Sequence, residues 1–213
     1  MSVLVFIEAK EKVSKSALEA ISYASKIGST TVITYGSISD QELNVVGEYG
    51  GEKVLINRTL DHSNDQQLTN LICAAVEETG AEVVVISQDQ VGKSVAPRVA
   101  AKLSAGHVSG AISLPETSDG FVVNTNVFSG KAMAKVAVHS PKKVISILPN
   151  SHSPEKSGGS TSISEFNTEL GEGKIVVKEL KSQGDGVPLP EAELVVSAGR
   201  GLKGPENWGI VED

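Results

Sequence analysis

The stretch Glu82-Val83-Val84-Val85-Ile86-Ser87-Gln88-Asp89-Gln90-Val91-Gly92-Lys93-Ser94, continued by Val95-Ala96-Pro97-Arg98-Val99-Ala100-Ala101-Lys102-Leu103-Ser104, decides the fold class. Val83 to Ile86 are four β-branched residues without a polar alternate, the mark of a strand covered on both faces. Residues 94–104 read as a helix whose small face, Ala96, Ala100 and Ala101, permits close packing. A buried strand passing through a short turn into a helix is the unit of a parallel α/β sheet.

Upstream the same unit recurs. Residues 3–9 form a continuous β-branched and aromatic run. Ser14 caps a helix in which Ala17, Leu18, Ile21, Ala24 and Ile27 recur at spacings of three and four, and Gly28 stops it. A strand at 30–35, a short helix at 40–50, a strand at 53–57 and a helix at 63–80 follow. Downstream of Gly106 the pattern changes to four strands, at 111–114, 121–128, 131–139 and 143–148, with no helix between them. Ser129-Gly130 is a tight turn within this set, and an antiparallel edge on a mostly parallel sheet is expected.

Residues 1–150 thus form an α/β scaffold domain. Residues 151–162, rich in Ser, Gly, Pro and charge, read as a linker, and 163–190 as a connecting segment with a strand at 175–177. Residues 191–213 hold a buried-type strand at 192–197 and then a glycine turn. A buried parallel strand needs neighbours, so the chain reads as a piece of something longer that stops at the start of a second domain.

Composition narrows the function. Among 213 residues there are 26 acidic and 19 basic side chains, a net charge of −7, which argues against nucleic acid or an anionic membrane as partner. Cys73 is the one cysteine, so neither a disulfide framework nor a thiolate-rich metal site is expected. No apolar run reaches the roughly 18 residues that span a bilayer, and Met1 to Glu8 reads as a strand rather than a leader. A reducing cytoplasm is the expected setting. His62, His107, His139 and His152 show no ligand or triad spacing, and Cys73 reads as a small core residue. No catalytic constellation is expected.

Two loops could meet phosphate. Gly199-x-Gly201-x-x-Gly204 follows a strand and opens a helix with Pro205 at its first position, with Arg200 as a forked cation inside the turn. Gly199, Arg200 and Gly201 are therefore candidate cofactor contacts, and a plain glycine turn remains the alternative. Ser87 to Ser94 is like a phosphate loop whose first glycine is replaced by Ser87. It reads as structural, with Gly92 making the turn, Ser94 capping the helix and Lys93 solvated. After the first strand, Glu8-Ala9-Lys10-Glu11-Lys12 puts acidic side chains where a phosphate would sit.

Three segments resemble the α subunit of electron transfer flavoproteins. Gly92 to Leu103 is similar to that family's G-K-x-x-x-P-R-V-A-A-K-L stretch. Asn126-Val127-Phe128-Ser129-Gly130-Lys131-Ala132 resembles its Y-A-G-N-A turn, with Lys131 where Asn is usual. Val195 to Trp208 resembles V-V-S-G-G-R-G-L-K-x-x-E-N-F, with Ala198 for Gly and Trp208 for Phe.

The resemblance implies a Rossmann-like sheet related to the adenine-nucleotide hydrolases, and an electron carrier rather than an enzyme. It implies FAD held by a C-terminal domain and not by this chain alone, with Arg200 matching the arginine of the G-R-G turn. It implies a β subunit as partner, acyl-CoA or other dehydrogenases as donors and a quinone-linked oxidoreductase as acceptor. The first domain then serves as scaffold and subunit interface. The alternative is a free-standing adenine-nucleotide-binding or stress-type domain.

Overall fold

A computed structural model describes residues 1–9, 11–60, 64–175, 178–179, 189, 192 and 194–212. Contacts divide the chain into Met1–Leu180 and Lys181–Asp213.

The first unit is built on a nine-stranded sheet. Strands β1 (Ser2–Phe6), β2 (Ser29–Tyr35), β3 (Lys53–Asn57), β4 (Val83–Ser87), β5 (Gly106–Ala111), β6 (Val122–Val127), β7 (Ala132–Ala137), β8 (Lys143–Ile147) and β9 (Ser162–Glu165) take the order β7-β6-β5-β8-β4-β1-β2-β3-β9. The run from β5 to β9 is parallel, while β5–β6 and β6–β7 pair antiparallel, as expected of the edge after residue 106.

Between the strands lie α1 (Lys15–Ser25), the short α2 (Asp40–Leu43) and α3 (Val45–Glu48), α4 (Asp65–Thr79) and α5 (Gln90–Leu103). Alternation in β1 sends Val3 and Val5 into one core with Ile21 and Tyr23 of α1. It sends Leu4 and Phe6 into the other with Leu68, Ile72 and Val99 of α4 and α5. Each such side chain, buried completely, contributes about 1.5–3 kcal/mol, which is why the all-apolar strands are central.

Three local elements differ from the sequence reading. The helix after β4 begins at Gln90, not Ser94, because the Asp89 carboxylate accepts from Gly92 N at 2.8 Å and caps it a turn earlier. Gly92 is therefore helical rather than the turn; a Cβ there would lie 1.8 Å from Ser87 O, so only glycine lets α5 sit this close to β4. The first strand past residue 104 is Gly106–Ala111 rather than 111–114. It carries a bulge at Gly110, φ 71°, whose carbonyl and that of Ser109 accept from Thr125 Oγ1 at 2.9 and 2.7 Å.

Residues 151–162 were expected to link; Ser162 instead opens β9, and 151–161 are fastened across the helix layer. Asn150 N donates to the buried Glu19 carboxylate at 2.9 Å, Glu155 N to Ser22 Oγ at 3.0 Å, and Ser157 N to Glu48 O at 2.8 Å. That crossing delivers β9 to the free side of β3, in parallel register from Lys53↔Ser162 to Ile56↔Glu165. Side-chain amides of α4 and its cap then hold the following segment: Asn70 Nδ2 to Leu170 O at 2.7 Å, Gln67 Nε2 to Gly171 O at 3.1 Å, and Asn64 Nδ2 to Ile175 O at 2.8 Å.

In the second unit, the strand expected at 192–197 is absent among the described residues. Leu194, Val195 and Val196 are exposed, and no described strand offers their backbone a ladder. A 3₁₀ turn at Arg200–Leu202, another at Pro205–Asn207 and a short α6 (Gly209–Glu212) follow. The strand expected at 175–177 falls largely on residues outside those described.

Candidate functional site

The strand order reverses direction at β1, with β2 on one side and β4 on the other, so the crevice beyond their C-terminal ends is where such a fold takes a nucleotide. Here that crevice is a cavity of about 10 Å³ walled by Phe6, Ile7, Glu8, Ser14, Ile86 and Asp89. One water fills such a space. Both helix N-termini that could receive a phosphate have donors already engaged. Ser14 Oγ accepts from Ala17 N at 3.2 Å and Asp89 from Gly92 N.

The electrostatics point the same way. Glu8 accepts the Tyr35 hydroxyl at 2.9 Å on one wall, and Asp89 stands on the other. Burial raises the Asp89 carboxyl above its ordinary value, the Gly92 amide opposes that, and the Glu8 charge adds to it. A phosphate would meet two acidic groups and, among the described residues, no cation lining the cavity. Lys93, the lysine of the phosphate-loop-like stretch, is exposed on α5.

The candidate cofactor contacts lie in the second unit. Gly199 precedes the 3₁₀ turn in an extended conformation at φ −99°, Arg200 opens the turn, and Gly201 is its middle residue. Leu202 N donates to Gly199 O at 3.1 Å and Lys203 N to Arg200 O at 3.1 Å, while Asn207 Nδ2 holds Leu202 O at 2.8 Å. All three candidates are exposed, and a Cβ at Gly199 or Gly201 would meet nothing within 4 Å. The Arg200 guanidinium has no partner among the described residues. An open glycine backbone beside a forked cation can meet a phosphate or an electron-rich ring.

The remaining chemistry-bearing side chains stay apart. His107 shares a 2.9 Å hydrogen bond with Ser146 Oγ, and burial lowers its basicity. His152 stands edge-on to Tyr23 at 5.6 Å, His139 is exposed, and His62 lies outside the described residues. Cys73 is buried in the α4 core, its thiol pushed up to about 11 by burial, so at neutral pH it is an inert apolar group. Among the described residues no three His, Cys, Asp or Glu gather as metal ligands, and no helix is long and apolar enough to cross a membrane.

Sequence reasoning missed a second hollow, of about 480 Å³, between the ends of α1 and α3 and residues 155–160. Its lysines are committed, Lys26 to Glu155 at 2.8 Å and Lys156 to Glu48 at 2.7 Å. Low-complexity composition hid it, because glycine and serine carry no periodic signal.

Residues 3–170 match the model of the electron transfer flavoprotein domain. The electron transfer flavoprotein subunit alpha of Bacillus subtilis is 30% identical over 170 residues, covering 78% of this chain and 52% of that protein. The probable mitochondrial electron transfer flavoprotein subunit alpha of Caenorhabditis elegans is 29% identical over 222 residues, covering 100% of this chain and 65% of that one. Protein FixB of Clostridium saccharobutylicum is 27% identical over 225 residues, covering 98% of this chain and 67% of that protein. The chain thus spans about half to two thirds of the length of these curated relatives. With residues 3–170 matched, a span that runs through β9, the chain belongs to the electron transfer flavoprotein domain family.

Proposed function

We propose that this chain serves as the α subunit of an electron transfer flavoprotein, an electron carrier without a substrate chemistry of its own. The observation that carries the reading is the extent of the likeness. The Caenorhabditis elegans α subunit aligns over the whole chain, including the Gly199-Arg200-Gly201 turn beyond the family-model match. The α/β unit, residues 1–150 with what is fastened to them, acts as scaffold and subunit surface, and residues 191–213 begin the FAD-holding domain. The closed acidic crevice supports this division, because it leaves no room for a nucleotide at the C-terminal ends of β1 and β4.

FAD, when bound, supplies the electron-transfer chemistry. Arg200 is the contact this chain contributes, through a guanidinium without a partner among the described residues, while Gly199 and Gly201 leave the backbone open for close approach. The partners are a β subunit, acyl-CoA or other dehydrogenases as donors, and a quinone-linked oxidoreductase as acceptor, in a cytoplasmic setting. A single exposed turn does not enclose a cofactor, so the 213 residues alone hold FAD weakly.

The test is a visible spectrum. The chain purified alone is expected to be colourless, and extension to the full length of its relatives, together with the β subunit, is expected to bring a flavin spectrum that Arg200→Ala weakens. Stoichiometric flavin on the 213 residues alone contradicts the weak-binding part. Saturable AMP or ATP binding to the chain by calorimetry, with no flavin in the extended protein, replaces the whole reading by a nucleotide-binding domain.

A further inference from the structure

The antiparallel end of the sheet terminates on β7, whose outer side pairs with no strand among the described residues. Val138 N donates to Phe121 O at 2.8 Å, and the hairpin register carries that pairing on through Val136, Ala134 and Ala132. Antiparallel pairs alternate, so the N–H and C=O groups of Met133, Lys135 and Ala137 face outward. Edges of this length are ordinarily blunted by proline, a bulge or a free charge. The β7 strand has no proline and an unbroken register, and the Lys135 ammonium is drawn to Glu116 at 3.2 Å.

Beside this edge stand two large apolar side chains in solvent, Phe128 at 80% and Met133 at 76% exposure. Phe128 and Ser129 hold φ of 51° and 57°, a left-handed conformation that non-glycine residues adopt at a cost. With the ring exposed, no packing within the described chain offsets that cost. Lys131, which has no partner among the described residues, gives the edge a positive charge in a chain of net charge −7, while the Lys135 charge is met by Glu116.

We infer that β7 is the docking edge for an extended, acidic segment of the β subunit, which adds as a further strand with Phe128 and Met133 as its apolar anchors. The unpaired backbone groups call for a strand, and the Lys131 ammonium calls for an acidic side chain opposite. A second copy of this edge brings a second Lys131, with its Glu116 already paired to Lys135, so the heterologous partner is the better complement. The inference rests on the proposed pairing with a β subunit and names where on this chain it occurs.

The experiment titrates the chain with the β subunit of the same organism by calorimetry and follows amide exchange in the complex. Phe128→Gly suits the left-handed turn, and Ala137→Pro removes a donor that faces away from β6, so both leave the free chain folded. Each is expected to weaken the complex by about tenfold or more, and the Met133, Lys135 and Ala137 amides are expected to slow in the wild-type complex. A complex that tolerates both variants without slowed amides overturns the docking edge and leaves the pairing intact. Absence of any wild-type complex overturns the pairing and the edge with it. Self-association of the chain alone that Phe128→Gly abolishes assigns the edge to a second copy and overturns the acidic partner.

Discussion

Single residues decide how closely the helices approach the sheet. The close approach of Gly92 to Ser87 O leaves no volume for a methyl group, so the Gly92→Ala variant should lose about 1–3 kcal/mol by overpacking, read as a lower urea midpoint with unchanged slope. Glu19 is buried at 3% exposure and accepts from Asn150 N; burial raises its carboxyl above the ordinary value, opposed by that amide and by Lys15. A folded-state value above the unfolded one means that the native state binds more protons between the two, so stability declines as pH rises through that window. Glu19→Gln keeps an acceptor for Asn150 and carries no charge. Thermal melts should therefore show it gaining on the wild type as pH rises from acid to neutral, and a constant difference across that range would refute the account.

At the scale of elements, the two fastened segments behave as parts of the unit because polar side chains hold them. Asn64 does double service, its Oδ1 accepting from Gln66 N at 3.0 Å as the cap of α4 and its Nδ2 holding Ile175 O. Asn64→Ala should cost about 0.5–2 kcal/mol as a lost cap and should also open residues 170–175 to limited proteolysis, whereas loss of the cap alone leaves that segment protected. The strands and long helices were legible in the sequence, since runs such as Val83 to Ile86 and the three-and-four spacing of α1 report burial directly. The start of α5 was not, because Ser94 and Asp89 are both good caps and only the close seat of Gly92 on β4 selects between them.

For the whole molecule, the ninth strand closes the side of β3 that the other eight leave open. A chain ending at Leu180 should melt within a few degrees of the full chain, and one ending at Asn150 should melt several degrees lower, since about 1 kcal/mol shifts a domain of this size by 2–4 °C. Equal melting of the two shortened chains would show that β9 contributes nothing. The candidate turn at Gly199, Arg200 and Gly201 was readable as a motif, and the acidic residues after β1 already spoke against a phosphate there. The crevice volume and the engagement of both helix N-termini were not, because they depend on Glu8, Ser14 and Asp89 arriving together from three separate places in the chain.

The residue pattern by itself determined the parallel α/β class, the antiparallel edge and the family likeness, because each is written in local periodicity or in contiguous motifs. Tertiary structure alone decided that residues 151–175 are fastened to the sheet and its helices, that the nucleotide crevice is shut, and that β7 is left with an open edge. Those outcomes come from hydrogen bonds and close approaches between residues up to 133 positions apart, and no local pattern encodes which distant groups will meet.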